Sequence, residues 1–473
     1  MNTFVDSIQE QVSRTENGMK ARQTSANAVV DFFYNVGASR GKDIIPQFVA
    51  ALAEDKELAL RVALWARDVR GGAGERELFR SMLTYLENTD SAAAELLMNK
   101  IPELGRFDDL FVFNTSEMKA KAYTLLGQYL SEKNGLAAKW TPRKGKIAAE
   151  IRDFFGMSPK QYRKSLVALT NVVESQMCPN DWDNINFSHV PSKASSIYKR
   201  AFNRHTPKFA EYVEKLTKGD PSVKVNANAI FPHDVIKSVL VETNGYWPKL
   251  SETEINHVIA QWNALPNYVG NSSILPLVDV SGSMARPAGN DTSVRCLDVA
   301  VSLGLYLADK NTGPFNGAFM TFSSSPQLVK LNGNIVQKVH QMVKSRWEMS
   351  TNLHAALEKI LNTATTQAAR QEDMPKMLLI FSDMQFNACV RYDDSAMEMI
   401  ERKYAEAGYE VPAIVFWNLN SKGNTPVKAD KSGAALVSGF SPSILTSLLS
   451  ADPKEFTPRG IMMKTIMNTR YDF

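Results

Sequence analysis

An aspartate and two serines follow directly after a strongly apolar segment in the second half of the chain. Ile274–Val278 is an apolar run of strand type, and it leads into Asp279, Ser281 and Ser283. A buried strand that ends in one carboxylate and two hydroxyls at positions i, i+2 and i+4 brings oxygen ligands together at the mouth of a sheet. The spacing therefore predicts a site for Mg²⁺ or another divalent cation, although serine and aspartate are also ordinary turn residues.

Two later segments supply further candidate ligands. Ser350–Leu353 opens a helical pattern of apolar residues, which places the Thr351 hydroxyl at the N-cap of the predicted helix. Met377–Phe381 is a second apolar strand, and it is followed by Ser382 and Asp383. Three separate segments would each have to imitate a ligand position by chance, so the pattern favours the metal site over simple turns.

The order of these segments resembles the metal-ion-dependent adhesion site of von Willebrand factor A-type domains, and all five ligand positions match. The resemblance implies direct ligation by Ser281, Ser283 and Thr351, with Asp279 and Asp383 holding metal-bound waters. Two carboxylates and neutral hydroxyls leave the cation electrophilic. One coordination position is then open for an acidic group or a phosphate from outside.

The surrounding segments predict an α/β fold over residues 269–473. Strand patterns alternate with helical patterns, and the predicted strands are 274–278, 317–322, 327–331, 377–381, 413–417 and 435–437. Such an alternation predicts a mainly parallel, doubly wound, Rossmann-like sheet whose ligand crevice lies at the carboxyl ends of the strands. Asp279 and Asp383 both fall at such ends.

Residues 1–268 have a different pattern. After a polar lead of about 20 residues, apolar positions recur at helical spacing in short segments joined by short turns, with no strand pattern. This rhythm predicts an all-α unit of stacked helix pairs, similar to HEAT repeats. A chain of 473 residues is too long for one ordinary core, so a multidomain protein is expected.

Composition restricts the class of protein. The chain is 44% hydrophobic and 22% charged, as in ordinary globular proteins. No signal peptide and no run long enough to cross a membrane is evident. The three cysteines are far apart, which fits neither a disulfide framework nor a zinc cluster, so we expect reduced thiols in a cytoplasmic protein.

The net charge of +4 is distributed unevenly. Residues 133–224 contain seventeen Lys and Arg against eight Asp and Glu, a local charge of +9. This asymmetry predicts a surface that faces a polyanion such as a nucleic acid, and the alternative is a solvated basic face of a helical domain. Two helical patterns carry the candidate contacts, which are Arg163, Lys164, Lys193, Lys199, Arg200, Arg204 and His205.

Two further motifs lie in the helical half. The glycine-rich turn Ala66–Arg76, ARDVRGGAGER, offers either backbone N–H groups and guanidinium groups to a phosphate or a cap between two helices. Ile101–Leu110, IPELGRFDDL, indicates a structural turn. The histidines lack metal-ligand spacing, and neither a nucleophile elbow nor a Walker loop is present, so no catalytic activity is expected.

Together, ARDVRGGAGER, IPELGRFDDL and DVSGSM resemble the Ro ribonucleoprotein autoantigen family, including its bacterial and phage versions, over nearly the whole chain. The resemblance implies a TROVE-type ring of HEAT-like helical repeats, latched by the A-type domain, in a monomer. It implies an RNA-binding scaffold without intrinsic catalysis that binds small noncoding RNA and the ends of misfolded RNA. RNA quality control and recruitment of an exoribonuclease are the associated roles.

Two other functions stay open at this point. A protein–protein adaptor would use the metal site to capture an acidic side chain of a partner and would not need RNA. An enzyme of nucleic-acid processing would need clustered acids for two metals, and only one such cluster is present.

Overall fold

The structure is a computed structural model that describes residues 12–16, 18, 20–227, 230–240, 250–288, 291–322, 325–345, 352–386, 396–420 and 425–473. The chain divides into two compact units. The first, here called the sheet unit, comprises Met1–Val62, Ile230–Leu250 and Leu265–Arg470. The second, here called the helical unit, comprises Ala63–Ala229, Ser251–Ala264 and Tyr471–Phe473.

The sheet unit is built on a six-stranded sheet. In chain order the described strands are β1 (Val12–Arg14), β2 (Lys20–Arg22), β3 (Ile274–Asp279), β4 (Pro287–Ala288), β5 (Asp291–Arg295), β6 (Ala318–Phe322), β7 (Leu328–Lys330), β8 (Met377–Ser382), β9 (Ala413–Asn418) and β10 (Ala434–Ser438). The main sheet has the order β10-β9-β8-β3-β6-β7, and only β7 pairs antiparallel. All six residues of β3 are buried, which explains its almost uninterrupted apolar sequence. The predicted doubly wound α/β fold is confirmed.

Helices precede, separate and follow the strands of the main sheet along the chain. Those of the sheet unit are Ala28–Val36, Ile45–Glu54, Pro232–Leu240, Cys296–Lys310, Ile335–Lys344, Leu353–Thr366, Ala396–Glu406, Leu445–Leu449 and Pro458–Ile466. The helix Cys296–Lys310 packs along β3, and the Val278 side chain would lie 2.4 Å from a Cβ added at Gly304. A glycine at this position therefore lets the helix approach the central strand closely.

The helical unit contains short helices separated by tight turns. They are Arg76–Thr89, Ser91–Asn99, Ile101–Leu104, Ser116–Ser131, Gly135–Trp140, Gly145–Phe154, Pro159–Leu169, Val173–Met177, Ser192–His205, Lys208–Thr217 and Glu252–Asn263, and Lys56–Arg67 leads into this unit. Capping side chains define several starts; Ser158, for example, forms a capping box with Gln161 ahead of Pro159–Leu169. The predicted helical region is confirmed. No described helix has the length and apolarity needed to cross a bilayer.

The predicted boundary at residue 268 separates the helical region from the main sheet, but the two compact units are divided at other residues. The main sheet lies wholly after residue 273, whereas the compact sheet unit also takes in Met1–Val62 and Ile230–Leu250. Its β1–β2 hairpin was not predicted, because the polar start of the chain has no alternating apolar pattern.

The glycine-rich turn caps a helix. The N–H groups of Gly72, Ala73 and Glu75 donate to the carbonyls of Asp68, Trp65 and Ala66 at 3.1, 3.1 and 2.7 Å. These bonds satisfy the last carbonyls of Lys56–Arg67, as a cap does. Of the two interpretations of Ala66–Arg76, the structure supports the cap.

Candidate functional site

Asp279 lies at the carboxyl end of β3 and is fully buried. Its Oδ1 accepts the backbone N–H of Ser281 at 2.8 Å. The hydroxyl oxygens of Ser281 and Ser283 lie 3.0 Å apart in the turn that follows. The three predicted ligands of the DxSxS motif are therefore grouped at one end of the central strand.

Asp383 lies at the corresponding end of the neighbouring strand β8. The two strands are parallel, and Val278 pairs with Phe381, so both carboxylates lie at the same edge of the sheet. Ser382 connects them, because its hydroxyl donates to Asp279 Oδ2 at 2.5 Å. Met384, next in sequence, has a φ of 63°, a conformation that costs energy for a residue with a side chain.

The electrostatics of this edge favour a cation. Burial, and after it the nearby charge of Asp383, raise the pKa of Asp279 to about 7, although hydrogen bonds from Ser382 and Ser281 oppose the rise. The thiol of Cys296 is also affected: burial, and after it the negative charge of Asp383, raise its pKa to about 12. Among the described residues, Asp279 accepts hydrogen bonds only from neutral groups.

Thr351 lies outside the described residues, so its place relative to the other ligands stays a prediction. The helix that follows is Leu353–Thr366, and its N-cap is Asn352, whose side chain accepts from the N–H of Ala355 at 2.9 Å. The prediction that Thr351 is the N-cap was therefore wrong by one residue. Asparagine and threonine are both good N-caps, and the apolar pattern alone does not choose between neighbours.

The donors fit a hard divalent cation. No group of three or more His, Cys, Asp and Glu that would hold a metal occurs in the described part of the chain. The two buried carboxylates and the hydroxyls of Ser281 and Ser283 instead form an all-oxygen donor set, the type that Mg²⁺ prefers. A cation there would offset the repulsion that raises the Asp279 pKa.

A contact with the start of the chain was missed by the sequence analysis. The Thr15 hydroxyl donates to the carbonyl of Phe386 at 2.5 Å, and the Glu16 N–H donates to Gln385 Oε1 at 2.6 Å. The Glu16 carboxylate also lies 3.6 Å from the guanidinium of Arg286, three residues after Ser283. The loops around the predicted metal site therefore contact residues that lie 270 to 371 positions earlier in the chain, and no local pattern signals such a pairing.

The predicted nucleic-acid contacts fall on two helices of the helical unit. Arg163 and Lys164 are exposed on Pro159–Leu169 and make no ion pair with any described residue. On Ser192–His205, Arg204 is exposed, Arg200 pairs with Glu254 at 3.2 Å, and His205 stacks on Trp182 with ring centroids 4.4 Å apart. Lys193 is exposed on the same helix.

Lys199 differs from the other predicted contacts. It is only 8% exposed, and burial lowers its pKa. Ile197, two residues earlier on the same helix, is 66% exposed. Ser192–His205 packs its Ser195 face against Glu252–Asn263, and Lys199 is buried together with Ser195. Lys199 is therefore the one predicted contact on this helix that is not on the exposed surface.

A buried serine–histidine pair lies between these helices. Ser195 Oγ is 2.8 Å from His257 Nε2, and His257 is 2% exposed. Its Nδ1 is buried and has no hydrogen-bond partner among the described residues, and burial lowers the pKa of His257 to about 3. Without an orienting carboxylate or an opening to solvent, the pair lacks what a catalytic serine needs.

The comparisons with known proteins agree on the architecture. A crystal structure of the Deinococcus radiodurans Ro (RSR) protein matches with a TM-score of 0.50 and 13% identity, covering 94% of this chain and all of the other. At that identity the likeness concerns the fold. The chain thus has a Ro-like fold, with a largely helical region and a mixed α/β sheet.

Sequence relatives identify the family. The chain is 31% identical to the uncharacterised protein L728 of Acanthamoeba polyphaga mimivirus over 523 aligned positions, covering 96% of this chain and 87% of that protein. The descriptions "Domain of unknown function (DUF2828)" and "Domain of unknown function (DUF7788)" match residues 15–99 with 131–275 and residues 273–465. The chain belongs to the family of the mimivirus protein.

Proposed function

We propose that this protein is a Ro-type RNA-binding protein, a scaffold for small noncoding or misfolded RNA. The observation that carries the proposal is the pair of exposed cations Arg163 and Lys164, which no described carboxylate neutralises, on a helical unit of Ro-like fold. Unpaired surface cations bind phosphates by releasing condensed counterions. The surrounding region 133–224 carries a local charge of +9.

The first test is co-purification. The protein is isolated from its native host at low salt, the ratio of absorbance at 260 and 280 nm is recorded, and any bound nucleic acid is sequenced. A discrete small RNA that salt releases supports the proposal. Protein that binds neither host RNA nor added single-stranded RNA at low salt contradicts it.

A charge-removal series tests the surface itself. The double variant Arg163→Gln/Lys164→Gln is compared with Lys121→Gln, a lysine of the same unit that is already paired with Glu95 and Glu117 at 2.7 and 2.9 Å. Each lost phosphate contact lowers the slope of log Kd against log salt by about 0.7 for single strands. We expect a decrease of roughly 1.4 for the double variant and none for Lys121→Gln.

We further propose a Mg²⁺ site in the sheet unit, held by Asp279, Ser281, Ser283 and Asp383 with Thr351. Two observations support this site: Asp279 and Asp383 are both buried, and no described cation pairs with Asp279. When bound, the cation supplies an electrophilic position that accepts a carboxylate or phosphate. The protein residues orient that position: the Ser382 hydroxyl and the Ser281 N–H fix the Asp279 carboxylate.

The same site supports a second function, capture of an acidic side chain of a protein partner. Its test is a pull-down with and without Mg²⁺, using wild type and Asp279→Ala. A partner retained only with Mg²⁺ and only by wild type supports the adaptor, and RNA-free protein with such a partner would make it the principal function. No catalytic role is proposed, and the protein is proposed to act as a monomer in the cytoplasm.

A further inference from the structure

An apolar groove lies within the helical unit between three segments of chain. Its volume is about 290 Å³, and it is bounded by Ser116–Ser131, by the residues just after Gly145–Phe154, and by Pro159–Leu169. Its lining is largely apolar, with Leu130, Leu166 and Leu169 among the walls and Ser165 at the rim. Such a volume is at the small end for ligand pockets, about 300–1,000 Å³, and suits one planar ring system.

Aromatic rings form part of this lining. Phe155 and Tyr162 both border the groove, and Phe154, 45% exposed, packs edge-on against Phe155 at 5.4 Å. A Cβ added at Gly127 would lie 2.8 Å from Phe155 Cε1, so the glycine lets this ring rest directly on Ser116–Ser131. The aromatic wall is therefore held in place by the helix behind it.

Positive charge surrounds the Tyr162 end of the groove. The Tyr162 hydroxyl donates to the carbonyl of Pro142 at 2.7 Å, and Arg143, next in sequence, donates to Thr170 Oγ1 at 2.8 Å. Arg152 lies on Gly145–Phe154, three residues before Phe155. Burial raises the pKa of Tyr162 to about 12 against the opposing charges of Arg143 and Arg152. Arg143 makes no ion pair with a described residue, whereas Arg152 pairs with Asp153.

We propose that this groove binds one unpaired base of a single-stranded nucleic acid, with Arg143 and Arg152 contacting the adjacent phosphates. The inference rests on the proposed RNA-binding function and adds a site that the predicted contacts did not include. Aromatic and apolar walls accept the face of any base, and guanidinium groups match the phosphates that flank it. An apolar helix of a protein partner would fill the groove but would offer no complementary charge to Arg143, which makes no ion pair with a described residue.

The test fills the groove from its exposed rim. Ser165→Phe places a ring in the groove, and Val167→Phe, at a position of the same helix that is 58% exposed and does not line the groove, is the matched control. Fluorescence anisotropy measures binding of an oligo(A) RNA of about 12 nucleotides and of an abasic strand of equal length. Phe155→Leu, which keeps apolar volume but removes the aromatic face, is the second variant.

We expect Ser165→Phe to weaken oligo(A) binding about tenfold, the loss of one stacked base, and Val167→Phe to have no effect. The abasic strand should bind weakly and equally to both, and the salt dependence should stay unchanged because no phosphate contact is lost. If wild type binds oligo(A) but Ser165→Phe and Phe155→Leu bind equally well, the base site is wrong while the RNA function stands. If wild type binds neither strand, both proposals fail.

Discussion

Asp109 offers a sharp test of what holds the helical unit together. The side chain is fully buried, and both of its oxygens are occupied by cationic or N–H donors. Oδ2 accepts from the Nε and Nη2 of Arg67, both at 2.7 Å, and from the N–H of Arg106 at 3.0 Å. Oδ1 accepts from the Nε of Arg80 at 2.7 Å.

Asp109→Ala would leave the Arg67 guanidinium, only 6% exposed, without its anionic partner. Removing one side of a buried ion pair costs about 3–5 kcal/mol, since the remaining charge cannot reach water. Asp108→Ala is the matched control. Asp108 is 22% exposed and pairs with Arg80 and Arg106, so we expect a loss of only about 1 kcal/mol. Each variant removes one partner of Arg80 and one contact of Arg106, and only Asp109→Ala also removes the partner of the buried Arg67.

Urea unfolding gives the two free energies. Far-UV circular dichroism and tryptophan fluorescence are followed together, because Trp65 is buried and Trp140 lies under the Arg106 guanidinium at 3.8 Å. Two compact units can unfold separately, so a single transition must be shown before one free energy is assigned. A loss for Asp109→Ala within about 1 kcal/mol of that for Asp108→Ala would refute the argument, since Arg67 would then be solvated or otherwise compensated.

Three further outcomes follow from individual residues. Gly72→Ala should destabilise the helical unit by about 1–3 kcal/mol, because the new Cβ would lie 1.8 Å from the Trp65 carbonyl oxygen; an unchanged urea midpoint would contradict the packing. The folded-state pKa of His257 is lowered from 6.5 to about 3, so its contribution is present above about pH 6.5 and is lost as pH falls. We expect about 2 kcal/mol less stability at pH 5 from this group, and His257→Gln should flatten that slope. Mg²⁺ should raise the free energy of unfolding of the sheet unit by about 2.7 kcal/mol when its concentration is a hundredfold above Kd. Asp279→Asn should remove this gain, and a gain that persists in the variant would exclude the site.

The local sequence pattern was sufficient to predict an element where its apolar positions clearly indicated the buried face or its capping residues marked its start. In Ile335–Lys344 the apolar positions follow a single helical period, and Asn334 forms a capping box with Gln337 at its start. The central strand was equally clear, since burial on both faces makes β3 apolar throughout. The shared edge of Asp279 and Asp383 then follows from parallel strands, without knowledge of the strand order.

Tertiary contacts decided the features that were missed. The buried face of Ser192–His205 contains Ser195, which contacts His257 62 residues later, and helical periodicity does not reveal which polar residues find a buried partner. The contact of Thr15 with Phe386 spans 371 residues and uses a hydroxyl and a main-chain carbonyl, groups that every segment offers.

The two candidate sites differ in how their charge arises, and this makes their functions separable. The carboxylates of Asp279 and Asp383 repel phosphates and acidic side chains until a divalent cation offsets them, so capture at the sheet unit should require Mg²⁺. Arg163 and Lys164 are exposed cations that attract phosphates without a metal, so RNA affinity should depend on monovalent salt instead. A chelator that abolished RNA binding would therefore show that the metal centre, rather than the basic helices, holds the phosphates.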